Sequence, residues 1–502
     1  MNLTVANRLR IRPRDLQRSD LLNFIREHKI RRITFNYTGG DGRLKELILP
    51  INNMVYAERI LAAGERVDGS SLFKGMVGPD SSDLYVVPEY NTAFLNPFDD
   101  ESVNILCRFL DKNEELSEFC PDNILRKNAE DFRSRYGLDI WALGELEFYL
   151  IGDVDGERYP LANQEGYHAS APFVKYDTVV KEMIEHIAGI TGHVKYGHSE
   201  VGNISPMLSE NPKLNGRYAQ QVEIEFLPAP IEKAADFLIL AKWVVRNVAA
   251  RHGLQVSFAP KLETGIAGSG LHFHLELLKD EVNQMTTSSG ELSPLARQAI
   301  AGILAKGPAL AAFGNTIPSS YLRLVPGQES PTRLFWSDLN RAALVRVPLG
   351  WRKGEDMASI INHRLKDRYI SPFKRQTVEV RSADGSAHIH LFLSVIVAAI
   401  GHGLADPEQA EALAVERYVS KDQQEKAQGI PALPPSCAAA AEALRTEGKW
   451  LTGFLPERIV DWLESSLLSY GDEHFQDELA DLEGDERLAE ERACMHHFID
   501  IG

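Results

Sequence analysis

The sequence predicts an α+β protein in two parts, the larger built on a curved sheet with one polar face. Three observations predict it. Residues 13–115 carry one helical pattern and a hairpin pattern, enough for a small α+β unit. Strand-like and helix-like runs then alternate over the rest of the chain. Finally, several of the later strands repeat one peculiarity: an apolar face backed by a face of Glu, His and Arg.

In chain order, LQRSDLLNFIREHKI has helical apolar spacing. RITFNY and KELILP flank the glycine-rich TGGDGR and predict a hairpin. The charged stretch DKNEELSEFCPD marks a boundary, dividing the chain into 1–115 and 116–502, with a new helix from Pro121 to about Tyr136. KAADFLILAKWVVRNVAARHG predicts a long amphipathic helix ending at Gly253. LFLSVIVAAI is the longest apolar run, too short for the roughly 20 residues a bilayer needs, and predicts a buried helix. From Ala405 the tail is helical and alanine-rich, then acidic. Its last run, DELADLEGDERLAEE, is expected to be a solvated helix face without chemistry.

Composition narrows the function. A net charge of −17 excludes a general nucleic-acid or membrane-surface binder. The N-terminus has no apolar core of signal-peptide length. The four cysteines are scattered and form no CxxC pair, which reads as a cytoplasmic chain with reduced thiols.

The polar strand faces carry the chemistry. In GELEFYL, Glu145 and Glu147 share one side and Leu146 and Phe148 the other. QVEIEF pairs Glu223 with Glu225; SGLHFHLEL aligns His272, His274 and Glu276; TVEVRSAD aligns Glu379 with Arg381. One such strand reads as a wet outer face. Four suggest a concave wall of acids, which repel one another unless cations neutralise them. Oxygen ligands with an occasional imidazole suit Mg²⁺ or Mn²⁺, and zinc is less expected because no cysteine joins the set. Arg323, Arg333, Arg341 and Arg346 follow in one segment. They could pair locally with acids such as Asp338. Beside metal ions, they suit charge neutralisation of a transferring phosphoryl group. No GxxxxGK[ST] motif is present, so an ATP site here is not a P-loop, and GIAGSG precedes a strand where a dinucleotide fingerprint would open a helix.

From about residue 68 to residue 399 the chain resembles the glutamine synthetase family, through VDGSS, GELEFYL, EGY, HSEV, QVEIEF, FAPKLETGIAGSGLHFHLEL, SSYLRLVPGQESP, NRAALVRVP and VEVRSADGSA in that order. The resemblance implies an N-terminal β-grasp domain and a large catalytic α/β domain with a curved antiparallel sheet. It also implies homo-oligomeric rings with active sites between subunits. The implied reaction joins glutamate to ammonium with ATP, through γ-glutamyl phosphate. One metal ion would be held by Glu147, Glu200 and Glu223, the other by Glu145, His272 and Glu379. Arg323, Arg341, Arg346, Arg381 and Gly268 would meet glutamate and phosphate. Glu329 would shield the acyl phosphate and take a proton from the nucleophile. Asp68 would reach a neighbour's site, with Tyr167 and Ser71 beside the ammonium. His274, Glu276, Lys195 and Arg375 would lie on the nucleotide side.

Several positions depart from the family pattern. Ala267 replaces an asparagine on a loop that helps close the glutamate site, Glu276 replaces a serine, and Lys195 replaces an acid, so a compensating Lys195–Glu276 pair is expected. SAHIHL stands for Asn-Pro-Tyr, with His388 and His390 expected to pack or cap. Insertions fall at 203–219 and 352–373, and the tyrosine segment adenylylated in some members has no counterpart. The first reading is glutamate–ammonia ligase. The alternatives are a ligase for a larger amine such as a polyamine or methylamine, and a non-catalytic structural relative.

Overall fold

Alternation draws residues 32–38 and 44–50 into an antiparallel pair, β1 (Arg32–Thr38) and β2 (Leu44–Pro50), with Arg32 opposite Pro50 and Thr38 opposite Leu44. β3 (Glu65–Asp68), β4 (Asp83–Pro88), β5 (Phe94–Leu95) and β6 (Ser102–Leu110) complete a first sheet in the order β2-β1-β6-β4-β3, with β5 on β6. Its central pair, β1 and β6, is parallel. The helices Arg18–Glu27 and Met54–Ala63 bury Leu21, Phe24, Ile25, Ile60 and Leu61 beside it. The structure is a computed structural model that describes residues 2–502 apart from 79–81, 154–157, 351–355, 368 and 370–374.

The helix expected after the boundary is Pro121–Tyr136, with Pro121 in its first turn and Gly137 in the left-handed conformation beyond its end. A second sheet follows: β7 (Asp139–Gly152), β8 (Val194–Ile204), β9 (Tyr218–Phe226), β10 (Ala229–Pro230), β11 (Gln255–Ser257), β12 (Leu271–Lys279), β13 (Val282–Asn283), β14 (Trp336–Asp338), β15 (Val345–Val347) and β16 (Val378–Val380). Its main path runs β14-β15-β16-β12-β7-β9-β8. Every pairing in it is antiparallel except β14–β15.

The long helix Ile231–Arg251 lies on one face of this sheet. At Gly144 a side chain would meet Leu238 Cδ1 at 2.7 Å, so helix and strand approach where β7 has no Cβ. Leu146 and Phe148 share that face and are fully buried. Glu145 and Glu147 therefore point the other way. The apolar run at 391–400 lies inside the buried helix Ile389–Ala405. Among the described residues no single helix is long and apolar enough to cross a membrane.

Between the two sheets, Arg108 of β6 donates to Glu89 (3.0 Å), Asp122 (3.0 Å) and Asp236 (2.6 Å). A buried guanidinium needs such compensation for its lost hydration. His390 Nε2 also meets Asp236, at 3.2 Å, and His388 Nε2 meets Gly40 O at 3.1 Å. Both histidines are thus engaged in packing between elements, away from the acids of the second sheet.

Candidate active site

Strand register assembles the acidic wall. Glu145 lies opposite Glu225, and Glu147 opposite Glu223. On the other side of β7, His272 lies opposite Glu145. His274 and Arg346 both lie opposite Glu379, and His198 lies opposite Glu223. Directly opposed residues point to the same face, so these side chains share the surface away from the helices. They border a cavity of about 740 Å³, lined by Glu145, Glu147, Glu200, Glu223 and His272 on the sheet side and by Arg323, Arg341, Arg346, Arg381 and Glu329 on the loop side. Tyr167 and Gly268 also line it.

Among the described residues, three sets of side chains bring possible ligand atoms within 4.8 Å of one another: Glu145, His272 and Glu379; His198, Glu200 and Glu223; and Glu145, Glu225 and His274. Glu145 receives His272 Nδ1 and His274 Nε2, each at 2.9 Å. Burial works to raise its carboxyl, but the two imidazoles outweigh burial and hold it well below the usual range. Glu223 is less well compensated, with His198 Nε2 no nearer than 3.7 Å from its Oε2. Burial, then the charges of Glu145 and Glu147, push it well above. Glu200 is pushed up to about 8, by burial and then by Glu147. Glu200 Oε2 is buried with no hydrogen-bond partner among the described residues, His198 Nδ1 lying 3.8 Å away. Unpaired carboxylates converging with imidazoles fit a hard divalent cation, which would neutralise the repulsion that the geometry creates. One oxygen of Glu147 is already committed, accepting from Gly270 N–H at 2.8 Å and from Gln221 Nε2 at 3.2 Å. The other remains available to a cation.

A pH dependence follows. Without a cation, folded Glu200 keeps its proton up to about 8, whereas the unfolded chain releases it near the ordinary value of 4.5. The folded state binds more protons in that window, so this group's contribution to stability falls as pH rises through it. A cation must displace the same proton, so affinity should rise by up to about tenfold per pH unit. The expected result is a melting temperature whose fall with pH is lessened by Mg²⁺ or Mn²⁺ and by Glu200→Gln. Melting curves of the two chains with equal slopes would contradict it.

The loop side supplies positive charge. Arg346 Nη1 donates to Glu379 Oε2 at 2.8 Å, and Arg381 donates to the other oxygen of the same carboxylate. Arg381 also donates to Glu329 O at 3.1 Å, and Arg341 Nη1 to Glu329 Oε2 at 2.9 Å. Glu329 has φ of +55°, a backbone state costly for a residue with a Cβ and held here by those two arginines. Arg323 is buried and donates to Ala383 O at 2.9 Å. Gly268 packs so tightly that a Cβ would lie 2.7 Å from Arg323 Cγ and 2.5 Å from Pro260 O.

The nucleotide-side residues fall differently. Lys195 pairs with Glu225 at 2.7 Å, and Glu276 accepts from Asn283 Nδ2, so the expected Lys195–Glu276 pair is not formed. β8 and β12 are separated by β7 and β9, three strand spacings or about 14 Å, beyond the reach of a lysine. Neither residue lines the cavity, nor does His274, whose ring nitrogens face Glu145 and Thr377. Arg375 is exposed and away from the cavity. The insertion at 352–373 lies partly outside the described residues. Asp68 and Ser71 also stand apart, on the first sheet's side of the chain. Asp68 is exposed, and the hydroxyls of Ser70 and Ser71, each at 2.6 Å, hold its carboxyl down to about 2.

His198, which sequence reasoning assigned no role, and Glu225, which it placed on the acidic wall but gave to neither ion, join the possible cation-ligand sets. The signal was present: His198 precedes Glu200 by two residues on one strand, as Glu223 precedes Glu225.

Side chains able to hold cations, facing a group of arginines, are the arrangement that phosphoryl transfer requires. The family model for the glutamine synthetase catalytic domain matches residues 118–466, and that for its β-grasp domain matches residues 29–112. The chain belongs to the glutamine synthetase family, and it is an ATP-dependent ligase with the β-grasp and catalytic architecture expected. Similar curated proteins include the glutamine synthetase of Aquifex aeolicus (27% identical over 478 residues, 89% of this chain and 94% of that one). That of Frankia alni is 28% identical over 491 residues, 90% of this chain and 94% of the other. Among solved structures, the Plasmodium falciparum glutamine synthetase superposes with a TM-score of 0.72 at 18% identity, covering 94% of this chain and 98% of that one. A GmaS/ADP complex superposes at 0.70 with 19% identity, covering 93% and 98%.

Proposed function

We propose that the chain makes glutamine from glutamate and ammonium, using ATP and passing through γ-glutamyl phosphate. The observation that carries this reading is Glu329, an exposed carboxylate held by Arg341 at the mouth of a cavity walled by cation ligands. A carboxylate so placed suits removal of a proton from an incoming ammonium-derived nucleophile. Glu145, His272 and Glu379 would hold one Mg²⁺ or Mn²⁺, and Glu200 and Glu223 a second, with Glu147 or His198. These cations would supply charge neutralisation of the ATP phosphates. Arg323, Arg341, Arg346 and Arg381 would orient the glutamate carboxylates and the phosphoryl group.

Asp68 and Ser71 lie away from their own chain's cavity, which supports the reading that they complete a neighbour's site, beside Tyr167, in a homo-oligomeric ring. The four free cysteines support a cytoplasmic location. Ala267 shortens the side chain on the substrate loop, and together with the insertions at 203–219 and 352–373 it keeps a larger amine as the second reading. The test is phosphate release from ATP with Mg²⁺ and glutamate, repeated with ammonium, methylamine and putrescine. Turnover with ammonium is expected. Turnover only with an organic amine would replace the first reading by the second, and none with any acceptor would remove both.

A further inference from the structure

The acidic run near the C-terminus is solvated along most of its length, but its last residue, Glu491, is buried, and just beyond it the helix turns polar side chains inward. In the helix Gly484–His497, Glu491 and Met495 are buried. Three of its polar residues turn onto one loop. Glu491 Oε2 accepts from Thr264 Oγ1 at 2.5 Å, and its other oxygen accepts from Arg487 at 2.9 Å. Arg492 Nε donates to both oxygens of Glu263, at 3.0 and 2.9 Å. His496 stands 3.0 Å from Leu262 O through Nε2 and 2.9 Å from Ser209 Oγ through Nδ1. Neutral imidazole satisfies both if Nε2–H donates to the carbonyl and Nδ1 accepts the hydroxyl. Burial lowers the pKa of this ring and favours that neutral form.

The same loop, residues 262–268, runs on into the cavity wall as Gly265, Ile266, Ala267 and Gly268. Inner bonds hold that stretch: Tyr149 Oη donates to Ala267 O at 2.7 Å, and Lys261 Nζ to Ile266 O at 2.5 Å. Outer bonds come from the C-terminal helix. Apolar contacts follow the same line. Ile499, just beyond the helix, is buried in a small cluster with Leu262, Ile266, Met207 and Leu214. Met207 and Leu214 belong to the insertion at 203–219, so insertion, tail and loop share one satellite core.

We infer that the C-terminal helix and the 203–219 insertion form a strap that holds the substrate loop in its binding geometry, with Glu491, Arg492 and His496 as positioning residues. The inference rests on the ligase reading for its kinetic consequence. Ala267 carries no side-chain group that could anchor the loop, so beyond the bonds its backbone makes to Tyr149 and Gln164 the strap adds anchoring from outside. Because glutamate would contact the backbone at Gly268, loosening the loop weakens glutamate without touching ATP.

The test uses the full chain and the variants Arg492→Ala, Glu263→Ala and the charge exchange Glu263→Arg with Arg492→Glu. Hydrogen exchange of the 262–268 amides is measured without substrates, beside KM for glutamate and for ATP. A half-buried, two-pronged charge-assisted pair justifies an expected change of about tenfold in both loop exchange and glutamate KM for the single variants. ATP KM is expected to stay within about twofold, and the exchange variant to recover most of the loss. Loop exchange unchanged in Arg492→Ala, KM rising equally for both substrates, or no recovery in the charge exchange would overturn the strap. Thr264→Val, which deletes one hydroxyl and leaves the helix intact, guards against helix melting. It should loosen the loop while 484–497 keeps its protection, and an unchanged loop would count against the strap. If the parent chain turns over ATP with no amine, the ligase reading fails and loop exchange alone decides the strap.

Discussion

Glu379→Gln is expected to lower turnover by roughly 10²–10³-fold, the scale on which one preorganised charged group acts in a closed site. Glu379 is fully buried and stands between two arginines and an imidazole of the site. It accepts from Arg346 and Arg381, and its Oε1 is 3.8 Å from His272 Nδ1. Glutamine keeps the shape and removes the charge. Two guanidiniums then lose their shared counter-ion, so a stability loss of roughly 3–5 kcal/mol should accompany the kinetic one. Assaying well below the variant's own melting temperature separates the two effects. Glu379→Asp keeps the charge and should retain part of the activity. Turnover in Glu379→Gln within tenfold of the parent would mean that the buried carboxylate only pairs arginines.

Glu329→Ala should leave the fold intact and lower ligase turnover by roughly 10²–10⁴-fold, the range for a general base. Its side chain is 66% exposed and, among the described residues, its one ion pair is with Arg341. An exposed pair of this kind is worth about 0–1 kcal/mol, so the melting temperature should barely move. Glu329→Gln separates two roles. Glutamine can still accept from Arg341 but cannot take a proton. Equal loss in both variants supports a base, whereas recovery in Glu329→Gln would reduce Glu329 to an anchor for its loop. Phosphate release without amine should rise relative to product, because the loop then shields the acyl phosphate less well.

Much of the site was legible in short stretches. GELEFYL, QVEIEF and SGLHFHLEL each display the alternation that sends acids and imidazoles to one face, and the structure keeps all of them there. The same alternation would have found His198 two residues before Glu200. The nucleotide side was less legible. Lys195 was paired with Glu276 by charge alone, and the order of strands puts them on opposite sides of β7 and β9. The acidic run at 477–491 is mostly solvated as expected, but composition reports charge and not direction, so the inward turn at its end was not legible. Glu491 and Arg492 are ordinary helix-surface residues until Thr264 and Glu263 are found beneath them.

The sequence by itself determined the two-part α+β class, the buried helix around 391–400 and the facing of each ligand along its own strand. A period of two is a local property, set within a few residues by backbone geometry and the burial of one face. Only the tertiary structure decided which of those residues meet. His272 and Glu145 are 127 residues apart and come to 2.9 Å because β12 pairs with β7 in one register. That register is set by packing the apolar face against the helix Ile231–Arg251, and a slip of one residue would turn every ligand on the strand away from the cavity.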